Sequence, residues 1–151
     1  MAIEYFQIKE RDYDLVEQLL KIDAAAYGDA ALEIFDLVAL LRHGRVYVAV
    51  EYDEVLGSVY FLRNFDDPDC AFLYSISIVD PEATPNLATS LLNIAFADMK
   101  SSGIKSVEVN VDPANYKALK TYRENLGFVA SESMQSDLLG GDEILMLQKD
   151  L

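Results

Sequence analysis

The strictest pattern in the chain is the segment IKSVEVNV, residues 104–111, in which apolar and polar side chains alternate. This period of two is typical of a β-strand with one buried face. Residues 86–102 before it and 113–127 after it instead place their apolar side chains at helical spacing. A strand between two helices requires crossover connections, so we predict parallel pairing in this half of the chain.

The rest of the chain divides into strand and helix patterns of similar length. Strands are predicted at 2–9, 45–52, 56–65, 70–79, 128–135 and 142–150, and helices at 12–28 and 29–44. The segment DEVLG, residues 53–57, favours an antiparallel hairpin between two of these strands. The order predicts an α/β (α+β) fold, with a mixed, mostly antiparallel central sheet of about seven strands flanked by about four helices.

Composition limits the class of protein. The 151 residues suit one domain, 1–151, and 52% of them are hydrophobic. Cys70 is the only cysteine, which excludes an internal disulfide and argues against a cysteine-based zinc site, and no metal site is predicted. The chain has no apolar run of membrane-spanning length and no signal-peptide pattern, so a cytoplasmic protein is expected.

The net charge of −14 opposes binding to nucleic acid and to anionic membranes. It would favour a cationic partner, although the same charge also serves solubility alone.

The segment VDPEATPNLATSLL, residues 79–92, leads from a strand end into a helix. Thr84 is a good N-cap, and Pro85 suits the first helical position because its missing N–H would have no partner there. The next backbone N–H groups would then point out of the helix end, where an anion can bind. The segment contains neither glycine nor a basic residue, and most helix N-termini bind only water.

A second motif favours the anion-binding interpretation of this segment over a simple connection between a strand and a helix. In DPANYKALKTYRENLGF, residues Asn115, Ala118, Tyr122, Gly127 and Phe128 recur at a characteristic spacing. Together with the preceding strand–loop–helix and the order of elements, this motif resembles the GNAT family of acyl-CoA-dependent N-acetyltransferases. The resemblance extends over nearly the whole chain and implies a GNAT fold with acetyl-CoA as the acyl donor.

The resemblance also implies a cofactor site. Its residues would be Asn86, Leu87, Ala88 and Thr89 for the pyrophosphate, Ser77, Ile78 and Val79 for backbone pairing with the pantetheine arm, and Asn115. The loop departs from the family pattern, because Ala83 replaces a basic or amide residue and the loop is one residue short. The alternative role for Asn115 is a helix cap.

By the same resemblance, Tyr122 is the candidate general acid, with its hydroxyl near the cofactor sulfur. The alternative is a buried tyrosine whose hydroxyl is satisfied locally. The glutamate that some members of the family carry on the fourth strand has no counterpart at Leu73, Tyr74 or Ser75. Glu108 or Asp69 could act through water, or the acceptor could arrive neutral, so no base is named.

Tyr27, Asp29 and the loop SDLLGGDE lie where this family builds its acceptor pocket, and their acidic groups would suit a cationic amine. The predicted function is transfer of an acetyl group from acetyl-CoA to a primary amine, on a small molecule or a peptide, by direct attack. Only Cys70 would reopen the question of a covalent intermediate. The alternative is a catalytically degenerate module that binds coenzyme A or a protein partner. Acceptor identity and oligomeric state, including a homodimer, stay open.

Overall fold

The computed structural model of the chain describes residues 2–136 and 142–151. Its elements are β1 (Glu4–Ile8), α1 (Tyr13–Tyr27), α2 (Ile34–His43), β2 (Arg45–Glu51), β3 (Glu54–Arg63), β4 (Cys70–Ile78), α3 (Leu87–Ser101), β5 (Ser106–Val111), α4 (Tyr116–Lys120), β6 (Val129–Ser136) and β7 (Asp142–Asp150). This is the predicted order of strands and helices. None of the described helices is long and apolar enough to cross a membrane.

The strands form one seven-stranded sheet in the order β1-β2-β3-β4-β5-β7-β6. Within the described residues β4 and β5 are the one parallel pair, and every other neighbouring pair is antiparallel. The prediction of a mixed, mostly antiparallel sheet is therefore confirmed. The helix between β4 and β5 is α3, which makes the crossover that the alternating pattern required.

The two faces of the sheet are covered by different helices. Alternate residues of β2 divide between two cores: Val46, Val48 and Val50 pack with α1 and α2, while Tyr47 packs on the side of α3. The α3 side is the larger core and includes the apolar stripe of α3 and the ring of Tyr122.

Helix starts differ from the predictions at two places. The predicted helix 29–44 begins only at Ile34, because Gly28–Ala30 form a separate 3₁₀ turn and the Asp36 carboxylate accepts the Glu33 N–H at 2.9 Å. Helix α3 begins at Leu87 instead of Pro85.

The hairpin between β2 and β3 is confirmed, but its turn is tighter than DEVLG. It consists of Tyr52 and Asp53, both in the left-handed region with φ of 51° and 63°. Such a two-residue turn matches the twist of the strands that it joins.

The predicted helix 113–127 is regular only in α4. Its last turn, Thr121–Asn125, is a π-helical turn, in which the Leu126 N–H donates to the Thr121 carbonyl oxygen at 3.1 Å. Single π turns inside helices occur frequently at functional sites, and this one carries Tyr122.

Candidate active site

The candidate site lies where β4 and β5 separate. The two strands pair only over Cys70–Leu73 and Ser106–Val109 within the described residues. At the end of that pairing the register between β4 and β3 shifts by one residue, which leaves Tyr74 as a bulge. A bulge bends its strand and increases the local twist. The carboxyl-terminal halves of β4 and β5 therefore diverge and leave a cleft between them.

A cavity of about 420 Å³ occupies the α1 side of this cleft. We call it the α1 cavity; its walls are the end of α1 with the following turn, the bulged part of β4, the end of β5 and the start of α4. Its polar lining includes Asp23, Tyr27, Ser75, Asp112 and Tyr122. Among the described residues that line it are two carboxylates and no lysine, arginine or histidine.

A second cavity, of about 590 Å³, lies between the end of β4, the start of α3 and α4. We call it the α3 cavity. Four residues line both cavities, namely Ile76, Asn115, Ala118 and Tyr122. The two cavities are thus adjacent compartments of one cleft, with these residues in the wall that they share.

Tyr122 is the polar aromatic residue of this shared wall. It is 7% exposed, and its ring meets the edge of Phe128 with 5.4 Å between centroids. Burial, with a further contribution from Tyr27, raises the pKa of Tyr122 from 10.0 to about 12. The Tyr122 hydroxyl forms no hydrogen bond within the described residues. It is also not fully enclosed, because Ser77 Oγ is the one side-chain polar atom among them that is enclosed and unpartnered. The hydroxyl is therefore open to the cleft that Tyr122 lines.

Helix α3 presents its first backbone amides to the α3 cavity. The Thr84 hydroxyl donates to the Asp80 carbonyl oxygen at 2.7 Å, and it does not cap the helix as predicted. The Leu87 N–H donates to the Thr84 carbonyl oxygen at 3.2 Å, so this predicted anion-binding amide is already used. Asn86, Ala88 and Thr89 line the cavity, and their N–H groups have no backbone partner in the described residues.

The free edge of β4 carries a different set of backbone groups from the predicted one. The Val79 N–H donates to the Leu56 carbonyl oxygen on the β3 side. Because successive residues of a strand direct these groups to opposite edges, Ser77 also faces β3, while Ile76 and Ile78 face the cleft. Both isoleucines line the α3 cavity. Of the residues predicted for the pantetheine edge, Ile78 therefore faces the cleft, while Ser77 and Val79 face β3; Ile76, which the prediction did not include, also faces the cleft.

Helix α4 contributes an amide and a cation to the site. The Asn115 side chain accepts the Ala118 N–H at 3.2 Å, so its predicted capping role is present, and the residue also stands in the shared wall. Lys117, which the sequence analysis did not identify, lines the α3 cavity opposite the start of α3. Among the described residues that line this cavity, Lys117 is the one basic side chain.

Asp23 is the second residue that sequence reasoning missed. It is 3% exposed, lines the α1 cavity, and accepts the Leu32 N–H on Oδ2 at 2.5 Å. Val16, Leu19 and Asp23 are the buried residues of α1. A carboxylate on the apolar face of a helix was the signal available in the sequence, since buried acids are rare without a partner.

Tyr27 follows Asp23 by one helical turn and reaches the bulged strand. Its hydroxyl donates to the Ile76 carbonyl oxygen at 3.1 Å and accepts from Ser75 Oγ at 3.2 Å. Tyr27, which the sequence placed near a predicted acceptor pocket, thus lines the α1 cavity.

The remaining candidates lie away from both cavities. Asp29 is exposed in the 3₁₀ turn, Asp69 pairs with Lys105 at 3.4 Å, and Glu108 lies on β5 outside the cavity walls. Cys70 is buried, and burial raises the pKa of its thiol. It therefore has neither the position nor the thiolate character of a nucleophile. Residues 137–141 of the loop SDLLGGDE lie outside the described residues.

An open sheet whose two central strands diverge beside a helix N-terminus is the fold of acyl-CoA-dependent acyltransferases. The family described as "Acetyltransferase (GNAT) family" matches residues 7–128. The chain therefore belongs to this family, as the motif around Tyr122 indicated. No curated protein matches the chain.

Solved structures with the same fold cover essentially the whole chain. The NatC complex bound to Gag peptide and CoA matches with a TM-score of 0.81 and 17% identity, covering 100% of this chain and 99% of that one. The ribosomal-protein-S18-alanine N-acetyltransferase from Escherichia coli gives 0.79 and 13%, covering 99% and 94%. A Bacillus subtilis acetyltransferase in complex with CoA gives 0.77 and 17%, covering 99% of both chains.

Proposed function

We propose that this chain transfers an acetyl group from acetyl-CoA to a primary amine by direct attack of the amine on the thioester. The observation that carries the proposal is the position of Tyr122, in the wall shared by the α1 and α3 cavities. The donor then occupies one cavity and the amine the other, and the reacting groups meet beside one hydroxyl. Such positioning supplies a large share of the rate enhancement of a bimolecular transfer.

The α3 cavity suits coenzyme A in three respects. The amides of Ala88 and Thr89 at the start of α3 favour an anion such as a pyrophosphate. Lys117 supports the same charge from α4. The free edge of β4 at Ile76 and Ile78 offers backbone groups to the amides of the pantetheine arm, as an added strand would.

Acetyl-CoA supplies the activated acyl group, and Tyr122 acts on its leaving sulfur. With a pKa of about 12 the Tyr122 hydroxyl keeps its proton at neutral pH, whereas a thiol has an ordinary pKa of about 8.5. Full proton transfer from this tyrosine to a thiolate is therefore unfavourable. The hydroxyl instead donates a hydrogen bond that stabilises the charge developing on sulfur.

Direct attack is favoured over a covalent enzyme intermediate. Cys70 is buried outside both cavities. Ser75 lines the α1 cavity, but its hydroxyl donates to Tyr27, and no described histidine lies in either cavity to activate it. Without an activating base a serine hydroxyl is a weak nucleophile.

The acceptor that suits the α1 cavity is a cationic amine, on a small molecule or a peptide. Asp23 and Asp112 line the cavity, and the whole chain carries a net charge of −14. Both features attract cations and oppose anionic acceptors.

A thiol-release assay with acetyl-CoA and a panel of primary amines tests the proposal. We expect thiol release that depends on the amine and is lost in Tyr122→Phe. The proposal fails if no amine in the panel releases coenzyme A, or if the released thiol comes from hydrolysis alone.

One observation favours a second candidate, a degenerate member that binds coenzyme A without turnover. Ala83 provides no basic group, and the Leu87 amide is bonded within the loop. Both candidates require that acetyl-CoA binds, which a thermal-shift measurement with acetyl-CoA tests. A ligand at 100 times its Kd raises the free energy of unfolding by about 2.7 kcal/mol. Stabilisation by acetyl-CoA without thiol release would favour the degenerate module.

A further inference from the structure

Asp23 is a carboxylate that the proposed chemistry does not yet use. It is 3% exposed in α1, on the side of the sheet that packs against α1 and α2. Within the part of the chain that the structure describes, its one side-chain hydrogen bond is the one that Oδ2 accepts from the Leu32 N–H. Within residues 2–136 and 142–151, no lysine, arginine or histidine nitrogen lies within 4.0 Å of it, and the ion pairs there involve other acids.

The second oxygen of Asp23 faces the α1 cavity. Oδ1 has no hydrogen bond within the described residues. Among those residues Ser77 Oγ is the one side-chain polar atom that is both fully enclosed and unpartnered, so Oδ1 is not fully enclosed. It is therefore accessible, and the space that Asp23 lines is the α1 cavity. Since a buried charge is unfavourable unless it is paired, a ligand that brings a cation to Oδ1 would be stabilised strongly.

The position of Asp23 separates it from the reacting nitrogen. The wall shared with the α3 cavity consists of Ile76, Asn115, Ala118 and Tyr122, and Asp23 does not belong to it. A carboxylate beside the reacting nitrogen would also favour its ammonium form, which cannot attack the thioester. Asp23 is thus placed to pair with a cation elsewhere on the acceptor.

We propose that Asp23 binds a second ammonium group of the acceptor, so that the substrates of this chain are small diamines or polyamines. This inference rests on the proposed acetyl transfer and adds the substrate class. The cavity volume of about 420 Å³ lies in the usual range for small ligands. Asp112, at the end of β5, adds a second negative charge to the same lining.

The test compares a four-carbon diamine with the four-carbon amino alcohol, which replaces the second ammonium by a hydroxyl. The ratio of their kcat/KM values is measured in the unmodified chain, in Asp23→Asn and in Asp14→Asn. Asparagine keeps an oxygen for the Leu32 N–H, removes the charge and replaces the other oxygen with an uncharged NH₂ group. Asp14, exposed in the first turn of the same helix, is the matched control.

We expect the unmodified chain and Asp14→Asn to prefer the diamine by about tenfold or more, the effect of one well-formed charged pair. In Asp23→Asn the preference should fall to about twofold or less, with the KM for acetyl-CoA unchanged. Equal use of diamine and amino alcohol by the unmodified chain, or a preference that survives Asp23→Asn, would overturn the inference alone. Absence of thiol release with every amine would overturn the acetyl transfer as well.

A length series on the unmodified chain keeps the inference testable even if Asp23→Asn unfolds. Diamines from three to six carbons are each compared with the amino alcohol of equal length. Because Asp23 and Tyr122 are held on separate elements, the preference should peak at one length. A preference that is absent at every length would contradict the role of Asp23.

Discussion

The Tyr27 hydroxyl donates a hydrogen bond to the Ile76 carbonyl oxygen, 3.1 Å away, and so ties the end of α1 to the free edge of β4. The same hydroxyl accepts from Ser75 Oγ at 3.2 Å. These bonds lie in the lining of the α1 cavity, to which Tyr122 also belongs. They also use the carbonyl of Ile76, one of the two β4 residues whose backbone groups face the cleft.

Tyr27→Phe should loosen this connection without unfolding the chain. The lost hydrogen bonds predict a decrease in unfolding free energy of about 1 kcal/mol, which lowers the Tm of a chain of this size by about 2–4 °C. Thermal unfolding is the measurement, and Tyr13→Phe on the same helix, 77% exposed, is the control. Equal Tm values for the two variants would show that the connection does not stabilise the fold.

Tyr122→Phe should lower turnover far more than cofactor affinity. The phenyl ring can keep its contact with Phe128, and only the hydroxyl that faces the cleft is removed. We expect kcat to fall by about 10²-fold or more, with the Kd of acetyl-CoA changed by about twofold or less.

Tyr116→Phe is the control for Tyr122→Phe, because Tyr116 is 79% exposed on the same helix. Its turnover should match that of the unmodified chain. If kcat in Tyr122→Phe also stays unchanged, Tyr122 has no part in the mechanism.

Lys117→Ala should weaken coenzyme A binding. Lys117 lines the α3 cavity, but its side chain is exposed, so we expect a loss of about 1 kcal/mol, or about fivefold in Kd. Isothermal calorimetry measures the change, and the difference should narrow at high salt because exposed charges are screened. Lys120→Ala, outside the cavity on the same helix, should bind as the unmodified chain does; a Kd that is equal in both variants would exclude Lys117 from the site.

Local patterns in the sequence were sufficient for the elements and for the family. The alternation at 104–111 and the helical stripe at 86–102 predicted β5 and α3 within two residues of their observed ends. The spacing from Asn115 to Phe128, together with the preceding strand–loop–helix and the order of the elements, indicated the family. Both signals depend on neighbours along the chain, which a sequence reports directly.

The features of the fold and of the site that the sequence did not predict depend on contacts between distant segments. No local pattern indicates that β7 inserts between β5 and β6, or that a bulge at Tyr74 separates β4 from β5. The direction of the Val79 N–H follows from its pairing with Leu56. Likewise the hydrogen bond of Asp23 is to the Leu32 N–H, which lies outside α1.

The hydroxyl of Tyr47 should make the stability of the chain depend on pH in the alkaline range. Its hydroxyl donates to the Asp98 carboxylate at 2.6 Å, and burial, followed by this bond, raises the pKa of Tyr47 from 10.0 to about 12. Between pH 10 and pH 12 the unfolded chain therefore loses a proton that the folded chain keeps. Stability from this group is fully present below pH 10 and decreases as the pH rises through 12.

Tyr47→Phe isolates that contribution. At pH 8 the variant should unfold with about 1–2 kcal/mol less free energy, because the bond to the Asp98 carboxylate is lost. As the pH rises from 10 to 12 the difference should shrink and then change sign, because the unmodified chain loses up to about 2.7 kcal/mol through the titration of Tyr47 while phenylalanine does not titrate. Urea unfolding at a series of pH values measures it. Tyr52→Phe is the control, because Tyr52 is 70% exposed, and it should keep the full pH dependence. If the difference in unfolding free energy between Tyr47→Phe and the unmodified chain stays constant across this range, Tyr47 has the same pKa in the folded and the unfolded chain.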